Sequence, residues 1–138
     1  MSSIRKHVAR KVVTLAADVP CREAARLMAE RKIGSIGIRV DGQLTGLVTE
    51  RDLIAAVVAR GGDGSLPVGE AARSLPRVTP DATETECAAL MRDHGTRHLL
   101  VEESGEVIGL VSMRDIIALM LDEKQFVIEQ LNTYISGR

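Results

Sequence analysis

The chain has 138 residues, enough for one domain or two small units sharing a core, because isolated units of about 60 residues bury only a marginal share of their surface. Hydrophobic residues make up 45% and charged residues 27%, which argues against long disorder and against a disulfide scaffold. The formal charge of −1 lacks the cationic excess that nonspecific DNA or RNA binding needs. No apolar run approaches the roughly 20 residues that cross a bilayer, and the N-terminus lacks an apolar export core. We therefore expect a cytoplasmic protein without nucleic-acid or membrane partners.

The first half of the chain predicts a helix, a hairpin and a second helix. Apolar residues recur at helical spacing over residues 19–28. Residues 36–40 alternate in polarity, and Asp41-Gly42 is typical of a two-residue turn before the apolar residues 44–48. Thr49 follows as a typical helix N-cap.

The second half repeats this pattern. Residues 46–54 read GLVTERDLI, and residues 109–117 read GLVSMRDII at an offset of 63. The turn has its counterpart in Ser104-Gly105. We expect two copies of a strand-helix-strand-strand-helix unit, a first repeat over residues 12–60 and a second over residues 77–123.

The repeats suggest two domains and a tail. Residues 1–63 would hold the first repeat with an N-terminal segment, and residues 64–138 a linker, the second repeat and a C-terminal helix. Residues 60–65 are rich in glycine and predict a flexible joint, followed by a short helix over residues 68–72. The tail carries a helical apolar stripe over residues 126–135 that would face either the core or a second protomer.

Both repeats place a hydroxyl and a carboxylate three residues apart where a strand meets a helix. These residues are Thr49 and Asp52 in the first repeat, and Ser112 and Asp115 in the second. The hydroxyl can approach a phosphate or ribose oxygen, and the carboxylate can accept hydrogen bonds from vicinal ribose hydroxyls. An N-cap with an acidic first turn explains a single copy equally well, whereas two matched copies favour a nucleoside site.

Other reactive residues point away from metal binding and catalysis. Cys21 and Cys87 lack CxxC partners, so we expect buried helix residues rather than a disulfide or a zinc site. His94 and His98 have i, i+4 spacing, but the intervening Gly95 interrupts the helix that would aim both at one metal. A triad built on Ser112 and His98 would lack a recognisable oxyanion hole, so we expect no enzymatic activity.

The duplicated unit with its Gly-Leu-Val-Thr/Ser-x-Arg-Asp motif resembles a tandem pair of CBS (cystathionine beta-synthase) domains over nearly the whole chain. Small stand-alone bacterial CBS-pair proteins similarly carry Thr-Glu-Arg-Asp in the first copy, Arg-His-Leu in the second, and a tail like residues 125–135 here. The resemblance implies an α/β (α+β) fold in which the two repeats pack with pseudo-twofold symmetry, plus a C-terminal helix. It also implies a homodimer and two clefts for adenosine-containing ligands.

The resemblance further implies which residues line each cleft, each cleft combining both repeats. The first cleft has Asp52 on the ribose, and its other expected residues are Thr49, Arg51, Val78, Thr79, Arg97 and His98, the last two near the phosphate. The second cleft has Asp115 in the ribose position, and its other expected residues are Ser112, Arg114, Val13, Thr14, Gly34 and Ser35. Its phosphate end lacks a cation unless Lys32, Arg114 or a second protomer supplies one, so we expect the first cleft to bind more tightly.

The sequence therefore predicts a non-catalytic regulatory module that binds an adenine nucleotide. AMP is the expected ligand, with NAD, ATP and S-adenosylmethionine as alternatives, and no catalytic cofactor is expected. Binding would bias the packing of the repeats or of a homodimer and thereby affect an unidentified partner protein. The alternative is a ligand-independent structural or protein-interaction dimer in which Asp52 and Asp115 only start helices.

Overall fold

The computed structural model describes residues 3–136, which form two compact units. The first unit consists of residues 11–75, and the second unit combines residues 3–10 with residues 76–136. The sequence suggests a division at residue 63. In the structure, the N-terminal segment instead belongs to the second unit, and the linker up to residue 75 belongs to the first. The reason is long-range pairing, which the repeat pattern does not encode.

The first unit is a four-stranded sheet with helices. Its elements are β1 (Thr14–Ala16), α1 (Cys21–Arg31), β2 (Ser35–Val40), β3 (Gln43–Thr49), α2 (Glu50–Leu53), which continues as a π-helical segment over Ile54–Val58, α3 (Val68–Ala71) and β4 (Arg73–Ser74). The strand order is β1-β2-β3-β4, with β1 parallel to β2 and the other neighbours antiparallel. The linker therefore returns to the first repeat and adds a strand to its sheet.

The second unit repeats this plan with three strands. Its elements are a 3-10 helix (Ile4–His7), β5 (Arg77–Val78), α4 (Glu84–His94), β6 (His98–Glu103), β7 (Glu106–Ser112) and α5 (Met113–Ser136). The strand order is β5-β6-β7, with β5 parallel to β6 and β6 antiparallel to β7. The expected strand-helix-strand-strand-helix order is thus confirmed in both repeats.

The two hairpins turn in the same way. The φ angles are 51° and 77° at Asp41 and Gly42, and 54° and 83° at Ser104 and Gly105. A two-residue turn with positive φ at both positions has the twist that neighbouring antiparallel strands require. Both hairpins also shift register at the matched positions Ile38/Arg39 and Val101/Glu102.

Each unit has its own hydrophobic core between helix and sheet. Ile36, Val48 and Val68 are fully buried in the first core, and Val68 comes from the linker. Ile4, although N-terminal, is fully buried in the second core, and its amide donates a hydrogen bond to the Ala82 carbonyl at 3.0 Å. These contacts explain why the linker belongs to the first unit and residues 3–10 to the second.

The two cysteines are buried in helices, as the sequence predicts. Cys21 begins α1 and Cys87 lies in α4, each inside the core of its own unit. Burial raises the pKa of both thiols, and with the nearby Glu86 and Glu84 carboxylates it raises that of Cys87 to about 11. Both side chains therefore pack as small apolar groups.

Helix α5 unites the last helix of the second repeat and the C-terminal tail in 24 residues, about 36 Å of helix. Ile116 and Leu119 are buried in the second core. Beyond them the apolar side chains are exposed, including Phe126 at 60% and Tyr134 at 79%. The alternative in which the tail packs into the core is therefore wrong for this chain.

None of the described helices is both long and apolar enough to cross a membrane.

Candidate functional site

The motif of the first repeat forms a capping box at the end of β3. Thr49 is the N-cap residue, and its hydroxyl accepts a hydrogen bond from the Asp52 amide at 3.2 Å. In return, Oδ2 of Asp52 accepts hydrogen bonds from the Thr49 amide at 2.8 Å and from the Thr49 hydroxyl at 2.9 Å. This arrangement fixes the carboxylate at the start of α2, where unpaired amides favour negative charge.

The second repeat reproduces this geometry at the end of β7. Oδ2 of Asp115 accepts from the Ser112 amide and from the Ser112 hydroxyl, both at 2.8 Å, and the Asp115 amide donates to that hydroxyl at 3.2 Å. The distances agree with those of the first repeat within 0.1 Å. The duplicated sequence motif is thus a duplicated carboxylate held by the same three hydrogen bonds.

The glycine of each motif lets a neighbouring chain segment approach closely. A Cβ at Gly46 would lie 2.4 Å from the Arg73 carbonyl oxygen, and a Cβ at Gly109 would lie 2.3 Å from that of Ala9. The registers agree, because Leu47 pairs with Arg73 and Leu110 bridges to Ala9. Arg73 and Ala9 therefore occupy equivalent positions beside the two motifs.

The two carboxylates differ in one contact. Nη2 of Arg73 donates a hydrogen bond to Oδ1 of Asp52 at 2.6 Å, and the Asp52 side chain is only 9% exposed. Across the described residues 3–136, no hydrogen bond or ion pair is formed by Oδ1 of Asp115. Sequence reasoning missed Arg73 because it lies in the linker, outside both repeats, and reaches Asp52 only through strand β4.

The sheets place several predicted site residues beside the capping boxes. Ser35 lies opposite Thr49 in the first unit, and His98 lies opposite Ser112 in the second. The preceding carbonyls, those of Gly34 and Arg97, accept hydrogen bonds from the first helical amides at 3.0 and 2.8 Å. Each unit therefore gathers its carboxylate, the capping hydroxyl and the start of its second strand at one point.

This grouping differs from the one that the resemblance implies. The resemblance groups Arg97 and His98 with Asp52, whereas in the structure they lie in the same unit as Asp115. Likewise, Gly34 and Ser35 lie in the unit of Asp52. The expected clefts combine residues of different units, and that part stays a prediction.

The remaining predicted residues are distributed over both units. Thr14 on β1 accepts a hydrogen bond from Nε of Arg39 at 3.2 Å, and the neighbouring Val13 carbonyl accepts from the Gly37 amide. Val78 is 9% exposed within the second core, so it offers mainly backbone groups to a ligand. Among all the predicted site residues, the exposed ones are Gly34, Arg51, Thr79, Arg97 and Arg114.

Comparison with known proteins identifies the family. The model of the CBS domain matches residues 4–59 and residues 67–122. The CBS domain-containing protein YhcV of Bacillus subtilis is 30% identical over 117 residues, which cover 84% of each chain.

Solved structures share the fold. The CBS-domain containing protein of Agrobacterium tumefaciens superimposes with a TM-score of 0.77 at 30% identity, over 86% of this chain and 99% of that one. A CBS domain protein from Pyrobaculum aerophilum, complexed with AMP, gives a TM-score of 0.69 at 29% identity over 82% and 88% of the two chains. The chain described here therefore belongs to the CBS domain family and contains two CBS domains in tandem.

Proposed function

We propose that this chain is a non-catalytic regulatory module that binds an adenine nucleotide, with AMP as the first candidate ligand. The observation that carries the proposal is the pair of capping boxes, in which Asp52 and Asp115 are held with the same geometry at matched positions. A helix needs only one capping oxygen, so the capping role leaves Oδ1 of each carboxylate as the atom that would accept from the vicinal hydroxyls of a ribose. The AMP complex of the Pyrobaculum aerophilum relative supports this ligand class.

A thermal-melt panel tests the proposal. The ligands are AMP, ADP, ATP, NAD, NADH and S-adenosylmethionine, each added to the full chain. A ligand at 100 times its dissociation constant should raise the free energy of unfolding by about 2.7 kcal/mol. If none of the six raises the melting temperature, the nucleotide-binding function is rejected.

The non-catalytic role is tested separately. Chromatography of the nucleotide after incubation with the protein should recover it unchanged, and a hydrolysis product would contradict this role.

The binding site itself is tested by Asp115→Asn, which keeps the size of the side chain but removes the charge. We expect it to weaken AMP binding by about 2–4 kcal/mol, because charge-assisted hydrogen bonds to the ribose are lost. Asp122→Asn on the same helix is the matched control, since Asp122 is exposed and lies outside the capping box. Equal calorimetric affinities of wild type and Asp115→Asn would contradict the ribose assignment at this repeat.

A homodimer through α5 is the second proposal. Apart from Phe126, the exposed apolar side chains of α5 recur with a seven-residue period, and the surface they form is called the α5 stripe below. Its members are Ile117, Met120, Leu121, Val127, Ile128, Leu131, Tyr134 and Ile135, with Lys124 on the same face. Apolar residues at the a, d and e positions of three heptads are typical of helices that pack against another helix.

The α5 stripe favours a second copy of this chain because the heptad spacing is self-complementary and because Lys124 occupies an a position. A single polar residue at such a position specifies register and oligomeric state. In this arrangement the nucleotide would act by favouring one dimer packing over another, which requires different affinities for the two states. A ligand-independent dimer would use the same stripe and would give no response in the melt panel.

A further inference from the structure

We propose that Arg73 is an intrachain latch on the Asp52 carboxylate, so that the first repeat accepts a ribose only after the Arg73 side chain has moved away. This inference rests on the proposed function, because it concerns access to the same ribose-binding carboxylate. It assigns a role in ligand selection to a linker residue outside both repeats.

The hydrogen bonds of Asp52 leave too little acceptor capacity for a ribose. A carboxylate has about four lone-pair positions. Oδ2 already accepts from the amide and the hydroxyl of Thr49, and Oδ1 accepts from Arg73. Only one position remains, whereas two vicinal hydroxyls need two. The diol and the guanidinium therefore compete for Oδ1.

The position of Arg73 is fixed by its backbone and not by the ion pair. Arg73 pairs with Leu47 in the sheet, and its carbonyl lies against Gly46, where a side chain would not fit. The Arg73 side chain is 46% exposed, in contrast to the 9% of Asp52. It can therefore turn into solvent while β4 stays in place, which is what a reversible latch requires.

The second repeat provides the matched unlatched case. Ala9 stands where Arg73 stands in the first repeat, bridging to Leu110 and lying against Gly109. A methyl group can neither donate a hydrogen bond nor reach a carboxylate. Among residues 3–136, none donates a hydrogen bond to Oδ1 of Asp115, so both lone pairs of this oxygen can accept from a ligand. The same motif is open in one repeat and occupied in the other.

This asymmetry predicts an order of binding. The carboxylate of Asp115 accepts ligand first, and that of Asp52 accepts it at higher concentration, after Arg73 is displaced. The order is opposite to the one expected from the sequence, in which the first cleft binds more tightly. The physical reason is a competing guanidinium that the repeat pattern does not reveal.

Exchanging the two equivalent residues tests the latch by calorimetry with AMP as the probe. In the background Asp115→Asn, which retains the Asp52 site, Arg73→Ala should strengthen AMP binding about tenfold, the factor that corresponds to about 1.4 kcal/mol. In the background Asp52→Asn, which retains the Asp115 site, Ala9→Arg should weaken AMP binding. Arg26→Ala is the charge-matched control, since Arg26 pairs with Glu23 and Glu30 on its own helix.

Two further measurements keep the test decisive. Arg73→Met retains the aliphatic stem of the side chain, and it replaces Arg73→Ala if the alanine variant destabilises the first unit. Melting curves establish that each variant is folded. Adenosine replaces AMP in a parallel titration, because it lacks the phosphate. A latch predicts that Arg73→Met strengthens the binding of adenosine as well as that of AMP.

The outcomes separate the latch from the proposed function. Unchanged AMP affinity in both Arg73 variants rejects the latch while nucleotide binding stands. Weaker AMP binding with unchanged adenosine binding also rejects it and makes Arg73 a phosphate contact. If neither adenosine nor any of the six ligands of the melt panel binds wild type or any variant, the proposed function fails, and the latch fails with it because no ligand competes with Arg73.

Discussion

His98 on β6 lies directly opposite Ser112 on β7, within the second unit. The corresponding pair in the first unit is Ser35 and Thr49. The two repeats therefore differ at this position in the group that accompanies the capping hydroxyl, an imidazole in one and a second hydroxyl in the other. Arg97, which precedes His98, is exposed, and we predict that these two side chains contact a phosphate.

We expect Arg97→Ala to weaken the binding of AMP by about 1–3 kcal/mol and that of adenosine little, because adenosine lacks the phosphate that an arginine would contact. Calorimetric titration of both ligands checks the difference. Arg92→Ala serves as control, since Arg92 is exposed on α4 and pairs with Asp93. Equal losses for AMP and adenosine would assign Arg97 a structural role.

Repeating this titration in the backgrounds Asp52→Asn and Asp115→Asn shows which carboxylate Arg97 accompanies. The sequence groups Arg97 with Asp52, whereas the fold places it in the unit of Asp115. If Arg97 acts within its own unit, its removal weakens AMP only where Asp115 is intact. A loss confined to the background with intact Asp52 would support the grouping expected from the sequence.

Alanine at Gly46 or Gly109 should destabilise the fold, because the new methyl group would meet a backbone carbonyl oxygen that cannot rotate away. We expect a loss of about 1–3 kcal/mol in the free energy of unfolding for each variant, measured by denaturant titration. Gly62→Ala is the control, as its nearest neighbour lies at 3.5 Å. If Gly46→Ala and Gly62→Ala are equally stable, β4 does not pair as closely as described.

Charged residues on the α5 stripe should prevent self-association. We expect Val127→Glu and Leu131→Glu each to shift the chain from dimer to monomer while the melting curve of the monomer stays cooperative, because both side chains are exposed, at 55% and 56%. Thr133→Glu, on the opposite face of α5, is the matched control. Sedimentation velocity measures the mass.

Deletion of residues 124–138 tests the same surface more drastically. The truncated chain should be monomeric and should melt at a lower temperature than the dimer, since association stabilises the folded state. A truncated chain that stays dimeric with an unchanged melting temperature would show that the C-terminal part of the α5 stripe is dispensable.

The stability of the second unit should decrease at alkaline pH through Cys87. Burial raises the pKa of this thiol to about 11, above the value of 9.0 that an unperturbed thiol has in the unfolded chain. Between these two pH values the folded state therefore retains the thiol proton that the unfolded state releases. The stability that Cys87 contributes to the folded state is thus complete below pH 9.0 and is lost as the pH rises to about 11. Cys87→Ala should reduce this slope in melts between these pH values, and an identical slope in both proteins would contradict the assignment.

The local sequence determined the features that depend on neighbouring residues. The two positive-φ turns follow from Asp-Gly and Ser-Gly, and the helix starts follow from Thr49 and Ser112 with an aspartate three residues later. The duplication revealed the repeated unit because both copies keep these short-range signals at a constant offset. Such signals survive in the fold because hydrogen bonds within four residues need no distant partner.

Only the tertiary structure decided which segments join which core. Ile4 packs with the second repeat, β4 extends the sheet of the first, and Arg73 thereby reaches Asp52 across 21 residues of sequence. Likewise, the helical spacing of apolar residues in the tail is the same whether the helix packs in a core or lies on a surface. The packing of the folded chain decides this, and it leaves Tyr134 79% exposed. Periodicity reports the local geometry of a segment, whereas its partner is set by the burial and backbone pairing available in the folded chain.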